Sequence, residues 1–149
     1  IWEVKTRDDG LRDYENVYTW YNPDWRTNGG YVGSPGQPTC AVLEDCNTYN
    51  YIRAVNAQEL CGANDWRLPT REELVSLLHY GTTDVNIDTR FFPNTRDWAY
   101  WTGTASAPDA YSAWAVSFWL SALKTQIWNK ASWNHYVRAV RKPGKAGEI

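Results

Sequence analysis

The sequence predicts one α+β domain over residues 1–149, in which two helices pack on an antiparallel sheet and long loops join the elements. Two segments with helical periodicity and capping residues lie in the first half of the chain, and short alternating segments lie in the second half. Neither an internal repeat nor a linker divides them. Helices gathered in one half and strands in the other are typical of the α+β class.

Two short strands are expected near the N-terminus. Residues 2–5 alternate in polarity, and residues 17–21 form an aromatic segment that ends at the turn signal Asn22-Pro23. The stretch from Asn28 to Thr39 is rich in Gly and Pro, which indicates a long surface loop.

The first helix is expected over residues 47–60. Asn47 or Thr48 can cap its N-terminus, and Gly62 is suited to end it.

The second helix is expected over residues 71–80. Leu68 precedes a proline and is therefore extended, and Thr70 with Glu73 fits a capping box. Apolar residues then recur at helical spacing, and Gly81 is placed to close the helix.

The second half of the chain predicts the sheet. Three or four strands are expected to finish the chain, from four candidate segments. They are Tyr100–Thr104, Ala113–Phe118, Thr125–Asn129 and Tyr136–Arg141.

The three cysteines predict one disulfide and one remaining thiol. If residues 47–60 form a single helix, Cys46 and Cys61 lie about 22 Å apart along it, whereas a disulfide requires α-carbons within about 7 Å. Cys40–Cys46 is therefore the favoured pair, with Cys40–Cys61 as the alternative, and the leftover thiol is expected to be a small buried hydrophobe. A disulfide indicates an oxidising, extracytoplasmic compartment. The cysteine spacing does not predict a zinc site.

Aromatic residues and charges are unevenly distributed. The chain contains 10 Trp and 10 Tyr but no Met, and these aromatic side chains combine a large apolar face with a polar handle suited to recognition. From Lys124 onward there are six basic residues and one acidic residue, although the whole chain has a net charge of −2. A basic C-terminal segment in a mildly acidic chain points to a polyanionic partner.

Other chemistries find little support. Asp84, Asn86 and Asp88 have the spacing of the start of a calcium loop but lack the later Gly and Glu, so no metal is predicted, although a lectin-type calcium stays open. His79 and His135 have no triad partners at a suggestive spacing. We expect no cofactor, no nucleic-acid partner and no membrane insertion, because no run approaches the roughly 20 apolar residues of a span. Any targeting segment is expected to have been removed or to lie outside this sequence.

The string WRLPTREEL, residues 66–74, resembles the signature of formylglycine-generating-enzyme-like proteins, a branch of the C-type-lectin-like fold. Those enzymes carry a cysteine pair in their C-terminal half, whereas this chain has no cysteine beyond Cys61. The resemblance therefore implies the fold without the catalysis, and we expect no enzymatic activity.

A wider set of motifs resembles the C-terminal domain family of the Legionella collagen-like adhesin. The motifs follow one order along nearly the whole chain: IWEVKT, YTWYN, CNTYNYIRAVNAQELCGANDWRLPTREEL, FFPNT, YWTGT, AWAVSF and YVRAVR. The resemblance implies a C-type-lectin-like domain on a secreted or surface-attached bacterial protein. It also implies a homotrimer that binds sulfated glycosaminoglycan through basic residues and supports attachment and aggregation.

We therefore expect a non-catalytic extracellular adhesin module that recognises a sulfated or otherwise anionic polysaccharide through its C-terminal strands. Alternation in the last strand places Arg138 and Arg141 on opposite faces, so one is expected to be buried and paired with an acid near Asp65 while the other is free. The predicted ligand contacts are Lys124, Lys130, Arg141, Lys142 and Lys145, with Trp119, Trp128 and Trp133.

The alternative function is protein-receptor binding or oligomerisation. The turn after the AWAVSF strand is Trp119-Leu120-Ser121-Ala122-Leu123, which is more apolar than the polar turn of many relatives. Such a turn fits a protein surface or a neighbouring subunit.

Overall fold

A computed structural model describes residues 1–81, 84–120 and 123–143. In these ranges three strands form one antiparallel sheet in chain order, so the predicted α+β class is confirmed. The helices and strands of this part of the chain are α1 (Thr48–Ala57), α2 (Arg71–Val75), β1 (Ala99–Ala105), β2 (Ser112–Ser117) and β3 (Thr125–Asn129).

The sheet separates two apolar clusters, and each helix packs on a different face. Trp101 of β1 lies opposite Ala115 of β2, and Tyr100 lies opposite Val116, so neighbouring residues point to opposite faces. The Trp101 face carries a cluster that includes Tyr51 and Val55 of α1. The Tyr100 face carries the cluster of Leu74, Val85, Ile87 and Phe118, to which α2 contributes Leu74.

Both helices begin where the sequence predicts and end earlier. The Asn47 side chain caps α1 by accepting a hydrogen bond from the Asn50 amide, and Thr70 forms the predicted capping box with Glu73. α2 stops at Val75 rather than at residue 80: the Leu77 and Leu78 amides bond three residues back, and the His79 amide bonds to the Asn86 carbonyl (2.8 Å) outside the helix.

The segments at residues 2–5, 17–21 and 136–141 form single bridges rather than continuous strands. Trp2 is bridged to Val140, Tyr18 to His135, and Tyr136 runs parallel to Tyr100 at one position. The predicted strands at residues 17–21 and 136–141 therefore contribute isolated bridges to the fold and do not lengthen the sheet.

A buried ionic network joins the two ends of the chain. The Glu3 carboxylate accepts hydrogen bonds from the Tyr51 hydroxyl (2.7 and 2.8 Å), the Ala139 amide (2.8 Å) and Lys5 Nζ (3.3 Å). Arg138 donates to the Glu3 carbonyl at 2.7 Å. Buried charges are tolerated when they are paired and hydrogen-bonded, and here they fix the N-terminal segment against α1 and the C-terminal segment.

The predicted disulfide is present, and the remaining thiol lies elsewhere than expected. Cys40 and Cys46 are bonded, with their α-carbons 5.9 Å apart. Cys61 is exposed, so the prediction of a buried thiol is wrong. It lies in a single 3-10 turn, Leu60–Gly62, that reverses the chain at the surface after α1.

Candidate functional site

Four indoles form a continuous surface feature, the aromatic ridge, made of Trp98, Trp119, Trp128 and Trp133. The ring centroid of Trp98 lies 5.7 Å from that of Trp119 and 5.9 Å from that of Trp128. The centroids of Trp128 and Trp133 are 4.7 Å apart. Trp119 is 42% exposed and Trp133 is 46% exposed, so the two ends of the ridge face solvent. Two of the predicted stacking residues, Trp128 and Trp133, are therefore in contact, and Trp98 connects them to the third.

Local sequence explains why the ridge forms on this face. Trp128 of β3 pairs with Ala113 of β2, and side chains of directly paired residues share a face of the sheet. The small Ala113 leaves room for the indole. Trp98 immediately precedes β1, and both Trp98 and Trp128 pack against the apolar cluster on the Trp101 face of the sheet.

His135 supports the ridge from inside. Its ring centroid lies 4.7 Å from that of Trp101 and 4.8 Å from that of Trp128, and the ring is nearly parallel to Trp133. Neither ring nitrogen has a hydrogen-bond partner among the described residues. Burial lowers the pKa of His135 to about 4, so the side chain is neutral at pH 7.

Lys130 is not available to a ligand, which corrects the sequence-based prediction. Its side chain is completely buried, and Nζ donates to the carbonyls of Asn28 (2.7 Å), Tyr31 (2.8 Å) and Ala110 (2.7 Å). The ammonium also lies 4.4 Å from the centroid of the Trp20 ring. Lys130 acts as an internal cation that ties two loops to the sheet.

The two C-terminal arginines are both engaged within the protein, so the expectation of one free arginine is wrong. Arg141 pairs with Asp65 at 2.6 Å, and this hydrogen bond lowers the pKa of the carboxyl group. Arg138 is the buried one: besides the Glu3 carbonyl, it donates to Thr95 Oγ1 at 2.9 Å. The predicted pairing near Asp65 therefore exists, but it is made by Arg141 and not by the buried Arg138.

The remaining predicted cations differ in position. Lys124 is half-buried, and its ammonium donates to the carbonyls of Trp119 and Leu120 at one end of the ridge. Lys142 is exposed. Lys145 lies outside the described residues. In the described part of the chain, the C-terminal basic residues therefore do not form one outward basic patch.

A second surface feature, the arginine cleft, was not predicted from the sequence. It has a volume of about 410 Å³. The guanidinium of Arg7 lies 4.8 Å from the centroid of the Tyr14 ring, and that of Arg96 lies 5.7 Å from the same centroid. No sequence signal joins these residues, because Arg7 and Arg96 are almost ninety positions apart in an otherwise acidic part of the chain. The cleft is lined by Arg7, Tyr14, Asp84, Val85, Thr95, Arg96 and Asp97.

A third feature is a cavity of about 340 Å³ between the start of α1 and β1. Its walls include the rings of Tyr21 and Tyr49, whose centroids are 6.1 Å apart. Thr48 Oγ1, one of its polar groups, already bonds to the backbone of Tyr21. This cavity is therefore mainly apolar.

Metal and membrane features are reported for the described ranges only. Within residues 1–81, 84–120 and 123–143, no three His, Cys, Asp or Glu side chains are grouped so that they could hold a metal ion. The Asp88 carboxylate, at the end of the calcium-like spacing, accepts two hydrogen bonds from the Arg90 guanidinium (3.0 and 2.7 Å). No helix in these ranges is long and apolar enough to cross a membrane.

Together these features define a small disulfide-linked α+β domain with an exposed aromatic ridge and a polar cleft beside it. The Lcl C-terminal domain family matches residues 1–141, and the chain belongs to this family. The predicted kinship with collagen-like surface adhesins is thereby confirmed at the level of the family. No curated protein and no solved structure matches the chain significantly.

Proposed function

We propose that this domain is a non-catalytic extracellular module, with a C-type-lectin-like fold, that binds an anionic polysaccharide along the aromatic ridge. The observation that carries the proposal is the continuity of the four indoles, whose exposed ends are Trp119 and Trp133. A contiguous exposed apolar surface marks an interaction site, and indole faces suit the apolar faces of sugar rings while their N–H groups reach hydroxyls.

The charge of the ligand is inferred from the family, from the cation at one end of the ridge and from one exposed C-terminal lysine. Lys124 lies at the Trp119 end, and Lys142 is exposed after the last segment. A single exposed ion contact contributes only about 0.2–1 kcal/mol. Useful affinity then requires several copies on one polymer, as a trimer would provide, because linked sites add avidity without new contacts.

The absence of catalysis is also a proposal, supported by where the perturbed groups lie. Strongly shifted pKa values often mark active sites. Here burial lowers the pKa of Lys5 to about 8 and raises that of Tyr51, but both groups are sealed in the core with Glu3. These shifts therefore serve a structural network and not a cleft that a substrate could enter.

Retention on immobilised heparin tests the proposal. The wild type should be retained and released by salt, since polyanion binding weakens as ionic strength rises. Trp133→Ala should elute at clearly lower salt, because it removes one end of the ridge. Trp25→Ala is the matched control, since Trp25 is 81% exposed and contacts no ridge residue. Equal elution of Trp133→Ala and the wild type would remove the ridge from the proposal.

A specific observation favours the alternative, a subunit or receptor contact. The turn after β2 exposes Trp119, Leu120 and Leu123, the last by 73%; Ser121 and Ala122 of this turn lie outside the described residues. Exposed aliphatic tips of this kind are common in protein interfaces. Mass measurement in solution tests the subunit contact: an oligomer that Leu123→Asp dissociates supports it, and a strict monomer counts against it.

A further inference from the structure

We propose that the arginine cleft is the subsite that recognises a carboxylated sugar residue, such as a uronic acid, within the polysaccharide. This inference rests on the proposed function and deepens it. It assigns the acid-recognising role to Arg7 and Arg96 instead of to the C-terminal lysines. Three properties of the cleft lead to it: two guanidiniums held on one ring, two carboxylates on the same lining, and contact with the end of the ridge.

The two guanidiniums are positioned for an anion. Tyr14 holds both of them, at 4.8 and 5.7 Å from its ring centroid. Among the described residues Arg7 forms no ion pair, and the nearest acid to Arg96 is Glu15, at 3.7 Å and largely exposed. A guanidinium presents paired N–H groups that match the two oxygens of a carboxylate. Tyr14 is thus a positioning residue, because it holds the arginines without needing to touch the ligand.

The acidic part of the lining narrows the ligand class. Asp84 and Asp97 are exposed and line the same cleft, so its formal charge is close to neutral. These carboxylates disfavour a sulfate ester inside the cleft, since like charges in a shared site are unfavourable, whereas a sulfated polymer can still lie on the ridge. A sugar acid carries one carboxylate and several hydroxyls, and ionised carboxylates accept hydrogen bonds from hydroxyls. The lining therefore matches a uronic acid better than a sulfate ester.

The cleft adjoins the aromatic ridge. Val85, which lines the cleft, is bridged to Trp119. Asp97, also in the lining, directly precedes Trp98. One saccharide chain can therefore place an acidic unit in the cleft and neighbouring units on the indoles.

Calorimetric titration of the whole domain with trigalacturonic acid, an unsulfated uronic acid trisaccharide, tests the inference. The wild type should bind, and Arg7→Ala and Arg96→Ala should each weaken binding about tenfold or more, as expected for a lost charge-assisted hydrogen bond. Arg7→Lys should also weaken binding, because it keeps the charge and loses the paired geometry. Arg26→Ala is the matched control: Arg26 is exposed, pairs with Asp24 and is absent from the lining. Thermal unfolding of each variant reports whether the fold is intact, and Arg7→Ala supplies the decisive result if Arg96→Ala unfolds.

Asp97→Asn should change trisaccharide binding in opposite directions under the two interpretations of the cleft. If the cleft recognises hydroxyls together with a carboxylate, this variant weakens trisaccharide binding although it removes a negative charge. If the cleft is a general anion site, the same variant strengthens binding, and the inference is overturned.

The two proposals fail in different ways. A wild type that is retained on heparin but does not bind the trisaccharide overturns the cleft inference and leaves the ridge proposal standing. Trisaccharide binding that is lost in Arg7→Ala and unchanged in Trp119→Ala, at the ridge end beside the cleft, supports the cleft and counts against the ridge. Binding that Arg7→Ala and Arg26→Ala weaken equally overturns the cleft, because it reflects net charge alone.

Discussion

Replacement of Lys130 by methionine should destabilise the fold by about 3–5 kcal/mol. The Lys130 ammonium is the donor for three carbonyls, those of Asn28, Tyr31 and Ala110, at 2.7–2.8 Å. Methionine fills a similar volume and leaves all three acceptors without this donor, and each buried unsatisfied group costs about 1–3 kcal/mol. The relief of an ammonium that burial disfavours offsets part of that loss, as the lowered pKa of Lys130 indicates. The net value is a large share of the about 5–15 kcal/mol that stabilises a typical domain.

Urea unfolding of the oxidised protein at pH 7 measures this change. Lys124→Met is the matched control, because Lys124 is a half-buried lysine that also donates to carbonyls but lies at the tip of the β2–β3 turn. That variant should change the free energy of unfolding by less than about 1 kcal/mol. Amide hydrogen exchange should also accelerate at Asn28–Tyr31 in Lys130→Met, because the loop loses its tie to the sheet.

Two outcomes would refute the reasoning about Lys130. Equal unfolding free energies for Lys130→Met and Lys124→Met would show that the three carbonyls do not depend on the ammonium. If Lys130→Met kept wild-type stability but was retained less on heparin, Lys130 would be a ligand contact, as the sequence predicted from its charge.

Two further predictions concern buried and exposed titratable groups. Folding lowers the pKa of His135 from 6.5 to about 4, so between pH 6.5 and pH 4 the imidazole is protonated in the unfolded chain and neutral in the folded one. Acidification across this range therefore lowers the free energy of unfolding by up to about 3 kcal/mol. His135→Phe should abolish this part of the pH dependence, measured by urea unfolding at pH 7 and at pH 4.5; an unchanged slope would contradict the assignment. Cys61 is exposed, so a thiol reagent should react with one thiol in the native oxidised protein and with three after reduction and unfolding. A native protein that does not react would contradict this exposure and support the buried thiol that the sequence predicted.

Features set by neighbouring residues were predictable from the sequence. The capping box of Thr70 and Glu73 requires only residues three apart. The pairing of Cys40 with Cys46 follows from the short loop between them and from the helix that separates Cys46 from Cys61. The three strands of the sheet were found because each is a short segment rich in aromatic and β-branched residues between turn signals. Each of these signals is contained in a window shorter than about 18 residues.

The N-terminal segment shows why other features could not be predicted. Alternation over residues 2–5 suggests that polar Glu3 and Lys5 face solvent, whereas the structure buries both and exposes Val4. The phase is reversed because partners from distant positions, the Tyr51 hydroxyl and the Ala139 amide, satisfy the Glu3 carboxylate. Tertiary hydrogen bonding decides burial here, and no local pattern encodes it.

The same reasoning explains why a count of charges misplaced the candidate site. A formal charge describes the field that a ligand meets only if the side chain is at the surface. In the C-terminal segment, Lys130 and Arg138 direct their charge at backbone carbonyls of the protein, and Arg141 is matched by Asp65. The guanidiniums that face a cleft instead come from acidic stretches, at Arg7 and Arg96, where one tyrosine ring holds both. An anion-binding site in this fold therefore depends on which cations the core leaves at the surface, and the core buries Lys130 and Arg138 of the basic C-terminal segment.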